Sequence, residues 1–169
     1  MIESIFDRKP DAGTWVEVGS FNGESSSLIL GFKKVKKLYC IDSWTNVPGY
    51  GDFTIQKPLF FKRMRSEVNS GRCVPMEMSS AEASASFPAA SVDVAYLDGD
   101  HSYEFVKSDL EHWFPKVKKG GFLCGHDYLH GGKEKDAWPG VTKAVDEFVA
   151  SHGLPRPILF DDSSYLIPV

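Results

Sequence analysis

The sequence predicts an α/β fold, a three-layer sandwich in which helices cover both faces of a mostly parallel sheet of seven strands, the last antiparallel. Three observations carry this. Apolar runs rich in β-formers alternate with stretches of helical composition, the pattern of repeated βα units. Three of the runs stop at Gly19, Asp42 and Asp98, where a turn begins. The last two runs are joined by Asp161-Asp162-Ser163-Ser164, a hairpin composition.

The elements follow in order. Thr14 to Val18 is a strand, followed by a glycine-bearing turn and a helix over Glu24 to Phe32. Leu38 to Ile41 is the second strand. Pro58 to Val68 reads as a helix of imperfect period, Cys73 to Met78 as the third strand, and Ser80 to Phe87 as a short helix ending before Pro88. Val92 to Leu97 is the clearest strand. Tyr103 to Phe114 follows as an amphipathic helix with Phe105, Val106, Leu110 and Trp113 apolar, closed by Lys118-Lys119-Gly120-Gly121. Phe122 to Cys124 is the fifth strand, and Gly140 to His152 is a helix bounded by Gly153 and Pro155. Ile158 to Phe160 and Tyr165 to Val169 are the closing strands. Ser43 to Lys57 is a long glycine-bearing aromatic loop with lid composition.

The 169 residues fit one domain over 1–169. A chain of that size buries roughly two-thirds of its unfolded surface, enough for a core without staples. With 19 basic and 23 acidic residues the net charge is −4, which lacks the electrostatic footprint of nucleic-acid binding. The run Lys33, Lys34, Lys36, Lys37 reads as a solvated helix end, where cations suit the dipole. Cys40, Cys73 and Cys124 form no C-x-x-C pair, so neither zinc nor a disulfide framework is indicated. Met1 to Pro10 has no apolar core of a signal peptide, and no apolar run approaches the ~18 residues of a membrane span. The expectation is a cytoplasmic protein without membrane or nucleic-acid partners.

Two motifs point to a nucleoside. Glu17-Val-Gly19-Ser20-Phe21-Asn-Gly23-Glu-Ser25 follows a strand and opens a helix, whose first N–H groups are free. Glu17 at the strand end would face a cationic group of the ligand. The G-x-x-x-G spacing lacks the G-x-G-x-x-G pyrophosphate signature. Asp42, ending the second strand, stands where a Rossmann-like sheet places the acidic residue that binds ribose hydroxyls. A third cluster, Asp98-Gly-Asp100-His101 with His126-Asp127, follows two further strands whose carboxyl ends converge. Carboxylates and imidazoles suit a divalent ion such as Mg2+ or Mn2+, which would lower the pKa of a substrate hydroxyl. His101, with an ordinary pKa near neutral, would then take the proton.

These motifs, with Ile41-Asp42-Ser43-Trp44, Tyr96-Leu-Asp98-Gly-Asp-His101-Ser-Tyr103 and Gly120-Gly-Phe-Leu-Cys-Gly-His126-Asp127-Tyr128, resemble class I S-adenosylmethionine-dependent methyltransferases. The likeness is to the small branch that includes macrocin O-methyltransferase and, more distantly, catechol O-methyltransferase, and it covers roughly Thr14 to Phe148. The resemblance implies S-adenosylmethionine as cofactor. Glu17, Gly19, Ser20, Phe21, Gly23 and Ser25 would line its methionine end. Asp42 and Ser43 would meet the ribose, Trp44 would cover the nucleoside, and Ser79 and Ser80 would meet adenine. Asp98, His126 and Asp127 would hold the metal. His101 matches the general base, with His101 and Asp98 completing the cofactor contacts.

Such enzymes carry helices before the first strand, where this sequence has about thirteen residues. The pocket for a small-molecule acceptor is then expected from Trp44–Lys57, from Tyr128–Pro139 with His130, Gly131, Gly132 and Trp138, or from a second subunit of a homodimer. Two other readings stay open: a nicotinamide-dependent oxidoreductase, disfavoured by the missing glycine signature, and a non-catalytic binding module.

Overall fold

The computed structural model describes residues 1–47, 51–128 and 138–169. In chain order the elements are α1 (Ile2–Arg8), β1 (Thr14–Val18), α2 (Glu24–Gly31), β2 (Lys37–Asp42), β3 (Asn46–Val47), β4 (Gly51–Asp52), α3 (Gln56–Arg63), α4 (Arg65–Asn69), β5 (Cys73–Glu77), α5 (Ser80–Ala85), β6 (Val92–Leu97), α6 (Tyr103–Trp113), β7 (Val117–Gly125), α7 (Pro139–His152), β8 (Ile158–Leu159) and β9 (Tyr165–Pro168). The seven-stranded sheet runs β5-β2-β1-β6-β7-β9-β8. The first five strands are parallel, and β9 lies antiparallel between β7 and β8. The expected Rossmann-like architecture is present.

Alternation along the strands splits the core in two, because successive side chains leave opposite faces. Val16, Val18, Ala95 and Leu97 pack with Ala83 of α5, Val106, Leu110 and Trp113 of α6 and Val145 and Phe148 of α7. Trp15, Val94 and Tyr96 pack on the other face with Ile5 and Phe6 of α1, Ile29 and Leu30 of α2 and Phe60 of α3. Each such fully buried large side chain contributes about 1.5–3 kcal/mol. α6 buries Val106, Leu110 and Trp113, a helical stripe. α7 starts with proline in its first turn and ends on Gly153 at φ 62°, the left-handed cap that glycine favours.

Four elements differ from the sequence reading. α1 was not expected: seven residues are too few to be helical on their own, and Ile5 and Phe6 gain their order from Trp15 and Phe32. The Pro58–Val68 helix is two helices, α3 starting earlier at Gln56 and breaking at Met64 before α4. The Ser43–Lys57 loop contains a two-stranded ribbon, β3 with β4, and a 3-10 turn over Phe53–Ile55. β7 starts at Val117 rather than Phe122, so Lys118 to Gly121 belong to a strand and not to a helix end. A register shift opposite Val92 and Val94 and a positive φ of 75° at Gly120 hide that strand's alternation.

The N-terminal ends of β1 and β6 are joined by Asp93, which is buried. Its Oδ2 accepts from the Gly13 and Thr14 backbone N–H groups at 3.1 and 2.9 Å, and its Oδ1 lies 2.9 Å from Lys118 Nζ. Among the described residues no helix is long and apolar enough to cross a membrane.

Candidate active site

β1 pairs with β2 on one side and β6 on the other, so the chain leaves β1 at the point where strand order reverses, the place where such sheets hold ligands. Gly19, at φ 87°, makes this turn against the next loop. A Cβ there would stand 2.1 Å from the Asp98 carbonyl oxygen and 2.7 Å from Gly99 Cα. Only glycine allows that approach, which brings the glycine loop into backbone contact with the Asp98 loop. Gly23, at φ 81°, precedes α2 and packs on Phe60 and Met64.

Glu17 is fully buried rather than presented to a ligand. Its Oε2 accepts from Ser20 Oγ at 2.8 Å and from Ser26 Oγ, while Oε1 has no partner among the described residues. Burial pushes its pKa up, and the hydroxyls of Ser25, Ser26 and Ser20 oppose the shift. The carboxyl braces the first turn of α2, a correction to the open carboxylate expected from its place at a strand end.

Asp42 stands at the crevice as expected. Its Oδ2 accepts from the Phe21 N–H at 2.8 Å and its Oδ1 from the Trp44 N–H at 2.7 Å, so it ties the glycine loop to the loop after β2. Trp44 is not a cover for a nucleoside. It is 3% exposed, donates its indole N–H to the Phe21 carbonyl at 2.7 Å, and packs on Phe60 with ring centroids 5.0 Å apart. Phe21 is instead the exposed ring of this loop. Ser43 is exposed, its hydroxyl 3.1 Å from that of Thr45. The side chains of Ser79 and Ser80 are taken up by structure: Ser79 caps α5 in a reciprocal pair with Glu82, and Ser80 Oγ accepts from the Trp113 indole at 2.9 Å.

The third cluster comes together beside β6 and β7. His101 Nε2 lies 2.8 Å from Asp127 Oδ2 and 3.5 Å from Asp98 Oδ1. His126 Nδ1 lies 3.3 Å from the same Asp127 oxygen. Asp127 sits at φ 63°, a conformation that turns its carboxylate toward the imidazoles. Tyr96 donates its hydroxyl to Asp98 Oδ2 at 3.1 Å, and Trp138 stacks on the His101 ring at 4.9 Å and 24°. Asp127 and Asp98 hold the imidazolium form of His101, raising its pKa from 6.5 to about 9. His101 and His126 hold the Asp127 carboxyl well below the usual range. With this pair intact the imidazolium form is favoured, and a protonated imidazole accepts no proton.

The donor atoms of Asp98, His101 and Asp127 all lie within 4.8 Å of one another. His101 Nε2 is buried, and Asp127 Oδ2 is its nearest partner among the described residues. Two carboxylates and an imidazole nitrogen have the chemistry to hold a divalent ion. His126, expected beside Asp98 and Asp127, borders the group through Asp127. Next to it lies a cavity of about 10 Å3, the size of one water, lined in part by Asp109, His126 and Tyr165. A larger cleft of about 320 Å3 is lined by Pro58, Phe61, Lys62, Arg65, Val68 and Asn69 and by none of these groups.

Sequence reasoning missed Tyr96 and Asp93. The spacing of Tyr96 and Asp98 was a usable signal, since residues two apart leave the same face of a strand. Of the expected lid residues, Trp138 is placed against His101. Pro48, Gly49, Tyr50, His130, Gly131 and Gly132 lie outside the described residues.

A parallel sheet with a glycine turn at its switch point, an acid after β2 and a polar cluster after β6 and β7 defines the S-adenosylmethionine-dependent methyltransferase fold. The chain belongs to the family described as a methyltransferase domain, which it matches over residues 16–128. It is 28% identical over 142 residues to the uncharacterized protein R132 of Acanthamoeba polyphaga mimivirus, covering 84% of this chain and 63% of that protein. A Corynebacterium glutamicum protein superimposes with a TM-score of 0.71 at 13% identity, over 99% of this chain and 77% of that one. A Staphylococcus aureus protein assigned as a caffeoyl-CoA O-methyltransferase gives 0.71 at 13% identity, over 99% and 82%.

Proposed function

We propose that the protein transfers the methyl group of S-adenosylmethionine to a hydroxyl of a small molecule, in the manner of the macrocin and catechol O-methyltransferase branch. The observation that carries this is the backbone contact of Gly19 with Asp98 and Gly99, which sets the cofactor turn directly against the polar cluster. The glycine loop, with Gly19, Ser20 and Phe21, receives the methionine end, and Asp42 accepts hydrogen bonds from the ribose hydroxyls. The acceptor hydroxyl lies beside Asp98, His101 and Asp127, in line with the methyl. The carbon–sulfur bond breaks with its electron pair left on sulfur, the oxygen–carbon bond forms, and the hydroxyl proton passes to water at the open side of the site. A divalent ion held by Asp98 and Asp127 supplies a lowered hydroxyl pKa when bound. Tyr96 fixes the Asp98 carboxylate, and Trp138 fixes the His101 ring. The missing pyrophosphate signature argues against a nicotinamide cofactor.

The test has two parts. Calorimetry with S-adenosylmethionine, S-adenosylhomocysteine and NAD reads the cofactor. Transfer of labelled methyl to a panel of phenols and sugars reads the reaction. Binding of the first two ligands, with label on an oxygen, is expected. No affinity for either overturns the proposal.

A further inference from the structure

The glycine loop between β1 and α2 has a costly shape. Phe21 sits at φ 47°, left-handed backbone that a bulky side chain rarely adopts, between Gly19 at 87° and Gly23 at 81°. Such a shape persists only where its surroundings fix it. On one side Phe21 is fixed by the loop after β2: its N–H donates to Asp42 Oδ2 at 2.8 Å, and its carbonyl accepts from the Trp44 indole at 2.7 Å. On the other side the loop meets the last turn of α3. Arg63 Nη1 donates to the Asn22 carbonyl and to Asn22 Oδ1, both at 2.7 Å, and Nη2 donates to Glu24 Oε1 at 3.1 Å. Asn22 Oδ1 also accepts from the Glu24 N–H at 3.2 Å, which closes the turn into α2. Gly23 lets α3 come this near, since a Cβ there would stand 3.1 Å from the Phe60 and Met64 side chains.

We propose that Arg63 is a positioning residue for cofactor binding, which holds the Gly19–Gly23 loop in its ligand-ready shape before the ligand arrives. It acts through Asn22 and not by touching the cofactor. The pair with Glu24 is exposed and by itself contributes little. The two bonds to Asn22 are charge-assisted, and one of them reaches the loop backbone. Without them the loop spreads over other conformations, and the apparent affinity falls with the fraction that stays competent. This deepens the cofactor part of the proposed function and rests on it.

The experiment reads the loop first, in the ligand-free protein, and the ligand second. Hydrogen exchange by NMR follows the Gly23 and Glu24 amides, whose bonds to the Ser20 carbonyl and to Asn22 Oδ1 close the turn. Calorimetry follows binding of S-adenosylhomocysteine. Arg63→Ala should speed exchange at both amides at least tenfold, leave the β1 and β6 amides unchanged and weaken the ligand at least fivefold. Arg65→Ala, which removes a neighbouring cation of the α3–α4 cleft, should match the wild type. Arg63→Lys keeps a charge beside Glu24 without the planar fork and should recover only part of the affinity. Unchanged exchange in Arg63→Ala, exchange raised equally in β1 and β6, unchanged ligand affinity in that variant, the same loss in Arg65→Ala, or full recovery in Arg63→Lys each overturns the proposal. A wild type that binds no S-adenosylhomocysteine overturns the proposed function together with this one, whereas wild-type binding that Arg63→Ala leaves intact overturns this one alone.

Discussion

Taking the metal-free protein from pH 6 to pH 9.5 removes the proton that His101 holds between Asp98 and Asp127, and the fold loses stability with it. The pKa of His101 rises from 6.5 to about 9, chiefly through Asp127. At about 1.4 kcal/mol per tenfold change in proton affinity, this corresponds to about 3 kcal/mol. The two side chains are 26% and 24% exposed, and solvent screening takes part of it, leaving about 2 kcal/mol. The lowered pKa of Asp127 is the same interaction seen from its partner and is counted once. For a group whose folded pKa is raised, the stability is fully present below 6.5 and is lost as pH rises through about 9. At the acid end the depressed Asp127 pKa works the other way: stability is present above the ordinary carboxylate range and is lost as pH falls below it. Calorimetric melting in chelator, wild type against His101→Gln, isolates this contribution from the other titrating groups. For a chain of this size the wild type should lose about 4–8 °C more than the variant between pH 6 and 9.5. Melting temperatures that fall in parallel would refute the ion-pair reasoning.

Three further outcomes are expected. Gly19→Ala puts a methyl 2.1 Å from a backbone oxygen at φ 87°, where no side chain can move aside; a loss of about 3 kcal/mol or more should appear in urea unfolding, with weakened cofactor binding. Asp93→Ala leaves two backbone N–H groups and Lys118 without their carboxylate and should cost about 2–3 kcal/mol in the same assay, with cofactor affinity intact. The Tyr165 hydroxyl is buried without a partner among the described residues, so Tyr165→Phe should be neutral or stabilising by up to about 1 kcal/mol; a clear drop in Tm would mean that a water in the adjoining cavity bonds it.

The strands around the switch point were legible because each combines β-forming residues with a stop at Gly19, Asp42 or Asp98. Asp42 could be placed from its position alone, since topology puts the end of β2 beside the end of β1. α1 and the early start of β7 were not legible: one is ordered by tertiary packing that includes Trp15 and Phe32, and the other loses its alternation at a register shift. Trp44 looked like a lid because an aromatic residue beside an acid has the same composition whether it points outward or inward; packing on Phe60 turned it inward.

By itself the sequence determined the α/β class, where the main strands fall along the chain and which acids and imidazoles stand at their ends, because periodicity and turn residues are local properties of the chain. Only the tertiary structure decided that Glu17 is buried against Ser20 and Ser26, that His101 stands beside both Asp98 and Asp127, and that Gly19 touches the Asp98 loop. Those are contacts between side chains and loops distant along the chain. Their distances and proton affinities exist only once the sheet has brought the ends of β1, β6 and β7 together.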